Sequence, residues 1–126
     1  MRIFVFGSNE KGTHGAGAAK YAHRVYGARA GDGVGPTGNA YAIPTKILPT
    51  RKKRQLLLSD IQADVNAFLV YAREWPEHTF LVSRIGCGLA GYTDAEIAPM
   101  FTGAPDNCEF DPAWESWNLK SWKKRP

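Results

Sequence analysis

Thr79–Glu96 reads TFLVSRIGCGLAGYTDAE. Phe80, Leu81 and Val82 form a short apolar run that suits a buried parallel strand. Gly86-Cys87-Gly88-Leu89-Ala90-Gly91 then spells G-x-G-x-x-G, a loop whose glycines let backbone approach a ligand closely. Thr93 stands three residues before Glu96, the spacing of a capping box that starts a helix. Strand, glycine loop and capped helix together form a shape that holds phosphate, because N–H groups at a helix start carry partial positive charge. Alone, the glycine pattern is equally a tight turn that needs glycine.

The N-terminal half repeats this arrangement. Ile3-Phe4-Val5-Phe6 is continuously apolar and predicts a strand over 2–6 in a sheet covered on both faces. Gly7–Gly17, GSNEKGTHGAG, follows as a second glycine loop. Ala18, Ala19, Tyr21, Ala22 and Val25 then predict a helix of small residues ending at Gly27. Nine of the thirteen glycines lie between Gly7 and Gly38, so 28–39 reads as either a disordered stretch or a binding loop. Ala40–Thr45 predicts a short strand with Pro44 at its end or on an edge, and Lys46 comes directly after. Ser59 and Gln62 have capping-box spacing. Leu58, Ile61, Val65, Phe68 and Ala72 mark one face of a helix that stops before Pro76. A short helix through Phe101, bent by Pro99, follows the second loop.

Alternation of strand and helix predicts an α/β fold, three layers α/β/α, with a mostly parallel or mixed central sheet. Ligands of such sheets sit at the carboxyl ends of the strands. Both glycine loops and Lys46 belong at such ends.

A chain of 126 residues supports one domain with a single core. No segment is long and apolar enough to span a bilayer, and no signal peptide is evident, so a cytoplasmic protein without membrane partners is expected. Cys87 and Cys108 are the only cysteines and are expected to stay reduced. Cys87, with no histidine near it in sequence, suits a small apolar filler better than a nucleophile. Neither metal nor cofactor is called for. Positive charge is concentrated in Arg51–Arg54 and in Lys120, Lys123, Lys124 and Arg125. The net charge is +4, so setting those eight cations aside leaves −4 on the rest. The body is not basic, and each run is a solvated segment or a contact for polyanions. Residues 119–126 are expected to form a flexible basic tail. Trp114 and Trp117 suit a cover over the core; Trp122, among lysines, suits either that role or stacking on a base.

Three separated pieces resemble the macrodomain family, the ADP-ribose-binding fold. Asn9 followed by Gly15-Ala16-Gly17-Ala18-Ala19 resembles its asparagine-then-glycine loop. Ile43-Pro44-Thr45-Lys46 resembles the strand-plus-lysine segment of the branch that removes ADP-ribose from glutamate or DNA bases. Arg84–Gly91 resembles that branch's diphosphate loop. The likeness covers roughly residues 2–102 and implies a single macrodomain-like domain over 1–126, in a form short by one or two strands. It implies binding of ADP-ribose or a related NAD-derived nucleotide, with ADP-ribosylated DNA or protein as further partners.

The resemblance implies roles for particular residues. Gly86, Cys87, Gly88, Leu89, Ala90, Gly91 and the helix start after them would hold a diphosphate. Gly15 and Gly17 of the first loop would bind the ligand, and Asn9 would hydrogen-bond a ribose hydroxyl or merely shape a turn or cap a helix. Tyr92 would shield the ribose or cover the loop. His14 would contact phosphate, act as an acid, or face solvent. Lys46 separates an ADP-ribosyl glycohydrolase from a binding module: a neutral amine would attack C1″ of ring-opened ADP-ribose, whereas a surface lysine would simply begin the basic run. Ala90 stands where glutamate-reversing members carry an aspartate, which weakens a two-residue mechanism. A non-catalytic sponge or sensor and a nucleic-acid-binding module remain alternatives.

Overall fold

Arg2–Asn9 forms β1, and its surroundings explain its sequence. Ile3 and Val5 enter one core cluster while Phe4 and Phe6 enter a second, on the opposite face of the sheet. Apolar residues are needed at every position because both faces are covered. The computed structural model describes residues 1–47, 54–88 and 90–126. After β1 come α1 (Gly17–Tyr26), β2 (Gly35–Thr37), β3 (Ala40–Ile47), β4 (Arg54–Gln55) and α2 (Leu58–Glu74). Then follow β5 (Thr79–Val82), α3 (Asp94–Ile97) and β6 (Cys108–Phe110), with 3-10 turns at Ala98–Phe101 and Pro112–Trp117.

The sheet runs β2-β3-β1-β5-β6. β3, β1, β5 and β6 are mutually parallel, whereas β2 and β4 pair antiparallel with β3 on its far side from β1. The sheet is therefore mixed with a parallel centre, as the alternating pattern predicts. α2 packs Ile61, Val65, Phe68 and Ala72 against one face; Ala19 and Ala22 of α1 pack against the other. Phe68, fully buried, meets Tyr41, Phe80 and Phe101 edge-on. Its truncation to Ala would cost about 3–5 kcal/mol.

Local expectations differ from the structure at five places. β1 continues through Gly7, Ser8 and Asn9, so the first glycine loop starts later than its composition suggests. β3 passes through Pro44 and ends at Ile47. Pro44 lies between the residues paired with β2 and those paired with β4, and a register shift against β1 follows it, so its missing N–H interrupts no continuous ladder. Ser59 and Gln62 do not form a capping box: α2 starts at Leu58 after an extended Leu57 with no side-chain cap. Gln62 instead reaches Asn66 and the Met100 carbonyl.

The fourth difference is the 28–39 segment, which forms β2 and a turn beneath the first loop. A Cβ on Gly33 would overlap the Asn9 and Glu10 carbonyls, and one on Gly38, at φ +57, would overlap Gly27. Glycine is required there by close backbone approach. The fifth is the segment 119–126. Phe110 N–H donates to the Lys120 carbonyl at 2.7 Å and Trp122 N–H donates to the Phe110 carbonyl at 2.9 Å. Arg2 holds the Lys124 and Arg125 carbonyls, and Tyr21 holds that of Pro126. Within this structure the segment runs beside β6. Arg51, Lys52 and Lys53 of the other basic run lie outside the described residues. Trp114 is fully buried in the larger cluster, and Trp117 packs on it. Among the described residues, no helix is long and apolar enough to cross a membrane.

Candidate functional site

From β1 the chain crosses through α1 to β3 on one side, then through α2 to β5 on the other. The carboxyl ends of β1 and β5 are thus the point where the strand order reverses, and such a point leaves a crevice for ligands. A cavity of about 510 Å³ opens there, lined by both glycine loops and by Thr45 and Lys46 of β3. Its volume lies in the range of small-molecule sites.

The loops meet at Gly7. A Cβ on this residue would stand 3.3 Å from the Gly86 nitrogen and 3.4 Å from Thr45 Oγ1. Beyond it Asn9 shapes the first loop, its Nδ2 donating to the Thr13 carbonyl at 2.6 Å and its Oδ1 accepting from Thr13 N–H at 3.0 Å. This is the turn-forming reading of Asn9. Asn9 nevertheless lines the cavity, and beyond its two bonds to Thr13 its amide has one further N–H and one further lone pair.

The first loop leads into α1 at an end that carries no cap. Ala16 supplies no side-chain oxygen and the first turn holds no acidic residue. The N–H groups of Gly17, Ala18 and Ala19 donate to no described residue; the first one used is that of Lys20, which donates to Ala16. Gly15 through Ala19 all line the cavity. Unused donors and the positive end of a ten-residue helix therefore face it.

The second loop contributes differently from the sequence expectation. Cys87 N–H donates to Arg84, Gly91 N–H to Gly88 and Tyr92 N–H to Gly86, leaving the N–H groups of cavity-lining Gly86 and Gly88 with no hydrogen bond to a described residue. Gly86 has φ +74, in the left-handed region that favours glycine. The helix after it is not available: Thr93 and Glu96 form the expected capping box, and α3 spans only four residues with Asp94 and Glu96 among them. Donors expected at the start of α3 are supplied at the start of α1 instead.

Charge in the cavity is one-sided. Lys46 and Arg84 line it, and among the described lining residues no Asp or Glu does. Arg84 is held by Asp94 through two hydrogen bonds, 2.8 and 2.6 Å, and buried Trp114 donates its indole N–H to the same carboxylate at 2.7 Å. Hydrogen bonds from Arg84 hold the Asp94 carboxyl down at about 2. Burial pushes the Cys87 thiol up to about 12, so it is a neutral wall residue and not a thiolate.

The structure thus gathers Asn9, Gly15, Gly17, Lys46, Gly86, Cys87, Gly88 and Ala90 around one cavity. Gly91 and Tyr92 stand outside it. The Tyr92 hydroxyl donates to the Leu56 carbonyl before α2, which pins the loop from behind. His14 is neither a cavity residue nor a solvent-facing one. It is buried, edge-on to Phe6, with Nε2 on the Arg29 carbonyl at 2.9 Å and Nδ1 without a partner. Leu89 lies outside the described residues. Arg84, Ala16, Ala18 and Ala19 are the contributors that sequence reasoning did not name as site residues. An uncapped alanine-rich start after Gly-rich sequence was the available signal for the alanines.

Comparison of the chain with protein-family models, curated proteins and solved structures finds no match.

Proposed function

We propose that the chain is a macrodomain-like protein that binds ADP-ribose or a related NAD-derived nucleotide in this cavity. The supporting observation is the meeting of unused N–H groups from two glycine loops around a space with no carboxylate among its described lining residues. A diphosphate needs several converging donors and little competing negative charge. Gly86, Gly88 and the first turn of α1 supply the donors, and Lys46 and Arg84 set the sign of the potential. Asn9 offers its remaining amide N–H to a ribose hydroxyl.

Calorimetric titration with ADP-ribose tests this reading. Saturable heat at one site per chain is the expected result. No heat at millimolar ligand would overturn it.

The position of Lys46 at the cavity supports a hydrolase extension. After Lys46 gives up its proton to solvent, its amine adds to C1″ of the ring-opened sugar, and the linked base or carboxylate leaves with a proton from the attacking nitrogen. Water then hydrolyses the Schiff base, freeing ADP-ribose and restoring the amine. Lys46→Ala is expected to abolish release of ADP-ribose from a modified nucleobase while leaving the thermal unfolding midpoint within a few degrees of the parent. Undiminished release would remove Lys46 from the chemistry. One observation favours a binding protein without turnover: Ala90 borders the cavity where an acidic partner for the lysine would stand. On that reading ligand is recovered unaltered after long incubation.

A further inference from the structure

A second cavity, of about 450 Å³, lies beside the first and has a different character. Phe4, Tyr21 and Trp122 line it together with Asp111 and Arg125. Two connections place it next to the nucleotide cavity. Tyr21 stands three residues after Ala18 on α1, hence on the same flank of the helix about 4.5 Å further along. The Asp111 N–H also donates to Val82, the residue before cavity-lining Ser83.

Buried Phe4 forms the floor, with Tyr21 edge-on to it at 5.4 Å. Tyr21 is 39% exposed and Trp122 half-buried, so both offer ring surface. Asp111 uses one carboxylate oxygen on the Ala113 N–H; its other oxygen makes no hydrogen bond to a described residue and is an acceptor for a planar ring bearing N–H. Around this aromatic space the chain gathers cations. Arg125 lines the cavity, Arg2 clasps the carbonyls of Lys124 and Arg125, and exposed Lys123 and Lys124 directly precede Arg125 in the chain. An aromatic recess beside a row of cations is what a single-stranded nucleic acid needs: rings accept a base face and the cations follow the phosphates.

We propose that this cavity, with Lys123, Lys124 and Arg125, is a contact site for single-stranded nucleic acid, one base entering among Phe4, Tyr21 and Trp122. The site is separate from the diphosphate donors and does not depend on the nucleotide reading. A carboxylate among the lining residues makes it unsuited to a phosphate, so the cavity takes a base and the phosphates stay outside.

The probe is a fluorescein-labelled oligothymidylate of about 12 nucleotides, within the site sizes common for single-strand binders, followed by anisotropy across a salt series. With about three phosphates neutralised, affinity is expected to fall about 20-fold between 50 and 200 mM salt. The exposed double variant Lys123→Ser/Lys124→Ser, which removes no buried group, is expected to lower that dependence to about threefold. Trp122→Leu is expected to weaken binding about tenfold or more at fixed salt. No binding at low salt, or an unchanged salt dependence in the double variant, would overturn the proposal. So would a Trp122→Leu protein that unfolds at the parent's midpoint and binds the oligonucleotide as the parent does. ADP-ribose is titrated in parallel. If Trp122→Leu weakens ADP-ribose and leaves the oligonucleotide untouched, the recess belongs to the nucleotide ligand and the nucleic-acid site falls, while the first cavity's function stands.

Discussion

Asp94 illustrates how one side chain settles the chemistry of its neighbours. It accepts two hydrogen bonds from Arg84 and one from Trp114, so the Arg84 guanidinium stays at the cavity wall with N–H groups to spare. The carboxyl is lowered from 3.8 to about 2, first by hydrogen bonds from Arg84. A lowered folded value means its contribution to stability is complete above the ordinary carboxylate range and is lost as pH falls towards about 2. Asp94→Asn should therefore flatten the acid limb of stability between about pH 5 and pH 2, as measured by urea unfolding. At neutral pH it should cost only about 0–1 kcal/mol, because Arg84 is 43% exposed and an amide oxygen still accepts from Trp114. Asp94→Ala should cost about 1–3 kcal/mol, since the buried indole N–H then has no acceptor. Equal losses in the two variants would show that the indole bond contributes little. Cys87 follows the same logic in reverse: with its thiol pushed up to about 12 it packs the wall and leaves the chemistry to other groups.

The element that matters most is the first turn of α1. An α-helix begins with N–H groups that have no internal partner, and most helices satisfy them with a capping side chain. Here α3 does so through Thr93 and Glu96, whereas α1 does not. α2 also starts without a side-chain cap, but of the two open starts it is that of α1 whose residues line the cavity. Ala16→Asp makes this testable because stability and binding should move in opposite directions. A carboxylate at the N-cap should stabilise the fold by about 1 kcal/mol. The same group occupies the donors and repels an anion, so ADP-ribose affinity should fall at least tenfold by calorimetry. A variant that is both more stable and unimpaired in binding would place the diphosphate elsewhere. The β2 segment acts on the same turn from below. Gly33 sits against the Asn9 and Glu10 carbonyls, so the 28–39 stretch supports the loop and does not line the cavity.

At the scale of the molecule, the order β3-β1-β5 brings two loops together that are separated by some seventy residues of chain. Ligand at that junction should slow amide hydrogen exchange at 17–19 and at Gly86 and Gly88 together, because both sets of donors become occupied; protection of only one set would divide the proposed site. Much of this was legible beforehand. Ile3–Phe6 and Phe80–Val82 have the unbroken apolar pattern that only a doubly covered strand demands. The α2 stripe and the Thr93–Glu96 box follow from spacing along one element. Such features were readable because they depend on neighbours a few residues away. The failures share a physical cause too. Ser59 and Gln62 have the spacing of a cap, yet the helix starts two residues earlier than a Ser59 cap requires, with Leu57 at the cap position. His14 looked accessible among glycines, but it is covered by Phe6 and Arg29. The C-terminal residues read as a loose tail, but they lie along β6. The sequence alone determined the three central strands β1, β3 and β5 and the helices between them, and that glycine-rich turns would stand at the strand ends; β2, β4 and β6 were not legible in it. Only the tertiary structure decided which backbone donors stay unused and which aromatic rings meet, since whether a group finds a partner depends on chain brought to it from far away.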